Sequence, residues 1–150
     1  MHVKHKIGVG AMASRNVALM KRIDRSVKDR FVYADKDPGG DQWRSFATEL
    51  RDDKDYVMVD DCDTLASTVL EILAWEGVPL ENLFRALVSS PAARGNMVDH
   101  MVGLAKDENG TYWVVGDTFG PPVTINRTPH KIIEVSCIDT GISWLKWPLK

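Results

Sequence analysis

Hydrophobic positions recur with two different periods along this chain, and the change of period falls near its middle. From Ser14 to about Arg30 the apolar residues Val17, Met20, Ile23 and Val27 repeat every three or four positions. That spacing predicts a helix with one buried stripe and Ser14 as its cap. "FVY" (31–33) reads as a short extended piece. "ADKDPGGDQW" reads as a loop broken by Pro38, Gly39 and Gly40, and residues 43–51 as a short helix. A second strong helix is expected over about 62–76. Leu65, Ala66, Val69, Ile72 and Leu73 share its buried face, Asp60 or Asp61 caps it, and Gly77 stops it.

After Pro79 the period falls to two. Residues 84–90, 97–105, 111–118 and 131–138 read as strands, with Asn109-Gly110 as a hairpin turn. "FGPPVTINRTP" reads as a surface loop. "ISWLKWPLK" is given no element; its Trp144 and Trp147 either cover the core or form an exposed aromatic patch. The expected class is α+β: N-terminal helices and a central helix packed on an antiparallel sheet of about four strands, in one domain covering 1–150.

Cys62 is the first chemically suggestive residue. It lies in the first turn of the central helix, three residues before Leu65, so it borders the buried face. A cysteine kept for packing belongs deeper in the helix, whereas a thiol that must ionise gains from the outward N–H groups of the first turn. Asp61 and Asp63 oppose that charge, unless they point away or bind a cation.

Strand alternation supplies partners. Val98, His100, Val102 and Leu104 share parity. With a two-residue Asn109-Gly110 turn, Glu108 pairs Thr111, Leu104 faces Val115 and Val102 faces Asp117. Asp117 then lies diagonal to His100 on one face, while a register of the other parity separates them. A lone histidine on an apolar face is ordinarily a satisfied core residue. Asp117 changes that weighing, because a carboxylate on an apolar face needs a partner. A helix packed on the same face would bring Cys62 to the pair. The three would then be nucleophile (Cys62), base (His100) and orienting acid (Asp117).

Composition adds bounds. The 150 residues are 44% hydrophobic and 27% charged, which excludes neither an enzyme nor a binding module. No run is apolar enough to span a membrane, and the N-terminus has no clear export signal, so a cytoplasmic protein is expected. Two cysteines make no disulfide framework. Residues 1–30 hold eight Lys/Arg against Asp24 and Asp29, a surplus of six positive charges in a chain of net charge −2. This basic segment reads as a solvated helix face ahead of a nucleic-acid or acidic-partner surface.

In this setting the chain resembles the bacterial and bacteriophage transglutaminase-like cysteine peptidases, which are papain-like. The matching pieces are "FVY", the D-x-W of Asp41-Gln42-Trp43, "DDCDTLA", "EGVP", "VDHMVGL" and "WVVGDT", in order over about 31–118. The intervals of 38 residues from Cys62 to His100 and 17 from His100 to Asp117 suit that family. The resemblance implies a catalytic triad of Cys62, His100 and Asp117. It also implies an oxyanion site from the Cys62 backbone N–H with the Trp43 indole. No cofactor is required by it. Calcium is allowed, with Asp61 and Asp63 as candidate ligands, although Thr64 stands where the family carries a further acid. Capping and solvation are the alternative roles of these acids. The implied partner is a protein or peptide substrate, and a short leaderless member suits a phage context. No membrane partner is expected from the apolar pattern, and a nucleic-acid partner is the less favoured reading of the basic segment.

The leading expectation is a thiol hydrolase that cleaves a peptide or isopeptide amide through an acyl-enzyme. A transglutaminase or deamidase would use the same triad. A catalytically idle fold serving as a binding or structural module is the first rival. A zinc site from Cys62, Cys137, His100 and His130 is the second, without supporting spacing. Otherwise Cys137 reads as small core filler, and His2, His5 and His130 as surface residues.

Overall fold

A computed structural model describes residues 2–34 and 44–149, with side chains from residue 15 onward. The first helix, α1 (His2–Lys28), is longer than its apolar stripe predicts. It continues through Gly8 and Gly10, poor helix formers that hide it in the pattern. Met20, Ile23 and Val27 are buried as expected. No helix among the described residues is long and apolar enough to cross a membrane.

β1 (Phe31–Tyr33) pairs in parallel with β2 (Met58–Asp60), a strand the sequence pattern does not reveal. The short helix α2 (Ala47–Asp52) lies between them in the chain. Arg30 ties this region together by donating to the carbonyls of Leu50 (2.7 Å), Tyr56 (3.0 Å) and Asp53. β2 runs directly into the central helix α3 (Cys62–Trp75), so the β1–β2 pair fixes where α3 begins. Asp61 caps α3 by accepting from the Thr64 N–H at 3.4 Å. The far end closes with Gly77 at φ +101, whose N–H meets Ala74 O while the Val78 N–H meets Leu73 O. That pairing needs a left-handed residue at Gly77.

The rest of the described chain forms a six-stranded sheet in place of the expected four strands. In chain order the strands are β3 (Leu83–Ser89), β4 (His100–Lys106), β5 (Tyr112–Val115), β6 (Val123–Thr124), β7 (Lys131–Cys137) and β8 (Leu145–Lys146). Their spatial order is β6-β5-β4-β3-β7-β8, with every neighbour antiparallel. The extra strands are the two-residue pieces β6 and β8, too short to show a period. β6 falls inside the segment expected to be a loop. The mixed helix-and-sheet class stands.

The sheet separates two apolar clusters. One joins Met20, Ile23 and Val27 of α1 to Leu65, Val69, Leu70 and Leu73 of α3, and reaches Leu83, Ala105 and Val115 of the sheet. The other holds Phe84, Ala86, Val88, Val102, Leu104, Val114 and Val135, covered in part by Ile125, Trp147 and Leu149. α3 therefore packs on the Gly103 and Ala105 face, where Leu70 sits 3.0 Å from the place a Gly103 Cβ would take. This corrects the expectation that α3 lies on the face of Val102 and Leu104, whose parity His100 shares.

Candidate functional site

The hairpin between β4 and β5 is wider than a two-residue turn. Lys106 pairs with Tyr112 and Gly103 with Val115. Asp107 sets this register: its carboxylate accepts from the N–H groups of Asn109 (2.8 Å) and Thr111 (2.9 Å) and from the Trp113 indole (3.1 Å). The expected pairing of Leu104 with Val115 is thus off by one. Extended past the strand ends, the true register would set Asp117 opposite Met101, on the other face from His100.

Gly116 reverses that outcome. It adopts φ +62, which breaks strand alternation at the end of β5. A Cβ there would lie 2.8 Å from Ala66 Cα, so α3 presses against it. Its N–H donates to Asp24 Oδ1 at 2.6 Å, and Asp24 also pairs with Lys28 at 2.7 Å. Burial raises the Asp24 carboxyl above its ordinary value, against the pull of Lys28 and the Gly116 N–H.

Beyond this turn, Asp117 Oδ1 lies 2.8 Å from His100 Nε2 and accepts the Phe119 N–H at 3.0 Å. Asp117 Oδ2 lies 2.8 Å from His130 Nε2. All three side chains are buried. Burial works to raise the Asp117 carboxyl, but the hydrogen bonds from His100, Phe119 and His130 outweigh it and hold it below its ordinary value. An ionised carboxylate only accepts, so both histidines donate from Nε2. His100 Nδ1 is then left as the basic nitrogen.

His130 is not the surface residue that the sequence suggests. Its side chain is 0% exposed, and Nδ1 has no hydrogen-bond partner among the described residues. No local signal marks its burial: it lies in a bend before the strand, and the positions of its parity include Glu134 and Ser136.

Cys62 is half-buried at the head of α3. Its Sγ donates toward Asp63 Oδ1 at 3.4 Å. Burial, and then the charges of Asp63 and Asp61, push the thiol up to about 12, while the Met101 backbone N–H works to lower it. Asp63 therefore faces the sulfur, contrary to the condition under which the acids would spare a thiolate. Cys62 and His100 line one cavity of about 530 Å³ together with Asp63, Leu87, Asp99 and Trp144. The structure brings His100 and Asp117 into direct contact, and Cys62 shares a cavity with His100 but not with Asp117. No hydrogen bond joins Cys62 to His100 among the described residues.

The other expected positions divide. Trp43, with Asp41, lies outside the described residues. Asp61 caps α3 and Asp63 meets the thiol. Neither belongs to the group of ligand-type side chains that converges within 4.8 Å among the described residues, which is His100, Asp117 and His130. Thr64 is fully buried, so an acid in its place would be buried too. Cys137 departs from the four-residue zinc grouping: its Sγ donates to the carbonyls of Leu80 (3.5 Å) and Glu81 (3.7 Å). It is half-buried against the second cluster, a looser fit than core filler. Trp147 covers the core, edge-on to Tyr112 at 5.1 Å, whereas Trp144 lines the Cys62 cavity.

A larger cavity of about 830 Å³ opens between α1 and residues 117–122. It touches Asp117 but neither Cys62 nor His100, and its charged lining is mixed, with Lys21, Arg25 and Lys28 beside Asp24 and Asp29. No family model and no curated protein matches this chain.

Proposed function

We propose that the protein is a papain-like thiol hydrolase acting on a peptide or isopeptide amide, with Cys62 as nucleophile, His100 as base and Asp117 as orienting acid. The supporting observation is the 2.8 Å contact from His100 Nε2 to Asp117 Oδ1, with His100 lining the same cavity as Cys62.

In this reading the Cys62 thiol rests on Asp63 and turns toward His100 when a substrate enters. His100 Nδ1 takes the thiol proton, and Asp117 stabilises the imidazolium so formed. The thiolate sulfur bonds to the amide carbon, and the oxyanion is met by the Cys62 backbone N–H at the head of α3. The amide C–N bond then breaks, and the imidazolium returns its proton to the leaving amine. Water, deprotonated by His100, cleaves the thioester and frees the acid. An amine in place of water would make the same site a transglutaminase, and a glutamine side-chain amide as substrate would make it a deamidase.

The idle-module reading draws on one specific observation, the 3.4 Å contact that sets the thiol against the Asp63 carboxylate, whose charge adds to burial in keeping the thiol protonated. p-Nitrophenyl acetate separates the two. The hydrolase acetylates Cys62 and turns over many times, with activity lost in Cys62→Ala and at least about a hundredfold lower in His100→Ala. An idle fold gives no turnover, or slow acylation equal in wild type and His100→Ala.

A further inference from the structure

We infer that His130 is a positioning residue of the same site, clamping Asp117 in the orientation that fixes the His100 tautomer; its catalytic meaning rests on the hydrolase reading.

The carboxylate of Asp117 is divided between two imidazoles. Oδ1 serves His100 and Oδ2 serves His130, each at 2.8 Å. The two rings lie 5.0 Å apart at their centroids, and Phe119 packs against both, at 4.9 Å from His100 and 4.8 Å from His130. Hydrogen bonding already accounts for this cluster, since a cation would displace the protons that make both contacts.

The unpartnered Nδ1 of His130 shows which way that ring is set. A hydrogen on Nδ1 would be buried with no acceptor among the described residues, a costly arrangement. The geometry therefore fits the Nε2–H tautomer and makes His130 a donor to Asp117. With its side chain 0% exposed, His130 cannot reach a substrate, and it acts only through the carboxylate.

The consequence runs through Asp117 to His100. While Oδ2 is held, Oδ1 stays aimed at His100 Nε2, and the Nδ1 lone pair of His100 remains available for the thiol. Without the His130 donor, Oδ2 is left buried and unbonded, and the carboxylate turns to recover a partner. His100 then loses its fixed acceptor and populates both tautomers, one of which has no base on the Nδ1 side. Outer-shell partners that orient histidines at metal sites are worth about 10–100-fold when removed, and a loss of the same order is expected here.

The test uses the ¹⁵N-labelled full chain as wild type, His130→Gln and His130→Phe. Ring ¹⁵N shifts report tautomers, and p-nitrophenyl acetate turnover is followed against pH. We expect Nε2–H at both His100 and His130 in wild type. His130→Gln, whose amide N–H replaces the donor, keeps the His100 tautomer and most of the turnover. His130→Phe mixes the His100 tautomers, lowers turnover about 10–100-fold and changes the shape of the pH profile. The inference is overturned if wild-type His130 carries its proton on Nδ1, or if His130→Phe leaves the His100 tautomer and pH profile intact. If His130→Phe does not fold, the wild-type tautomer and the His130→Gln profile decide. A wild type without turnover removes the hydrolase reading alone, and the tautomer shifts still judge the role of His130.

Discussion

His100 and Asp117 meet at 2.8 Å although the strand register would place them on opposite faces of the sheet. The meeting depends on Gly116, whose left-handed backbone turns the chain where β5 ends. That turn is braced on one side by Ala66 of α3 and tied on the other to Asp24 of α1. The His–Asp contact is thus a product of three elements rather than of the hairpin alone.

Gly116→Ala should therefore be among the most damaging small substitutions in the chain. Left-handed backbone costs a residue with a Cβ about 1–2 kcal/mol. The added methyl would meet backbone at 2.8 Å, and overpacking of that kind costs roughly 1–3 kcal/mol more. Chemical denaturation should show a loss of about 2–5 kcal/mol. Esterase turnover should fall further than stability explains, because Asp117 is re-aimed.

Asp24→Ala tests the same brace from α1. It strands the Gly116 N–H and leaves Lys28, which is a quarter exposed, without its carboxylate. Breaking a buried pair is costly, and the partial exposure of Lys28 reduces the figure to about 2–4 kcal/mol. Lys28 also donates to Gly120 O at 2.6 Å, so the loop from 117 to 120 should show faster hydrogen exchange in the variant.

These braces also show what could be read from the chain. The start of α3 was legible because its signals are local: an acid that caps, an apolar face with helical spacing, and a glycine stop. The strands β3, β4, β5 and β7 were legible from alternation. The register was not, because Asp107 widens the turn with its own side chain and overrides the Asn109-Gly110 signal. The expected pairing of His100 with Asp117 reached the observed contact through a register the structure does not have. His130 was missed because its meaning is tertiary: nothing within ten residues of it shows that it reaches Asp117.

Asp63→Asn should make Cys62 more reactive. The charge of Asp63 helps push the thiol up to about 12, and Asn keeps a hydrogen-bond acceptor while removing that charge. The thiol should titrate lower, with about tenfold more thiolate for each unit of fall. Iodoacetamide alkylation at about pH 8 should speed up accordingly. An unchanged rate would mean that burial alone holds the thiol neutral.

Acidification should reveal Asp117. Its carboxyl is depressed in the folded protein, so its contribution is fully present above the ordinary value of 3.8 and lost as pH falls through the lower folded value. Asp24, raised by burial, has the opposite sign: stability falls as pH rises from 3.8 through its folded value. Urea melts between about pH 5 and pH 2 should show a shallower loss on acidification in Asp117→Asn than in wild type.

The most direct test of the central claim is the rate of Cys62 alkylation by iodoacetamide at neutral pH, compared between wild type and His100→Ala. If His100 serves the thiol, the rate should drop by at least about tenfold in the variant, with the fold intact by circular dichroism. Equal rates would contradict the account, because the imidazole held by Asp117 would then have no hold on the sulfur.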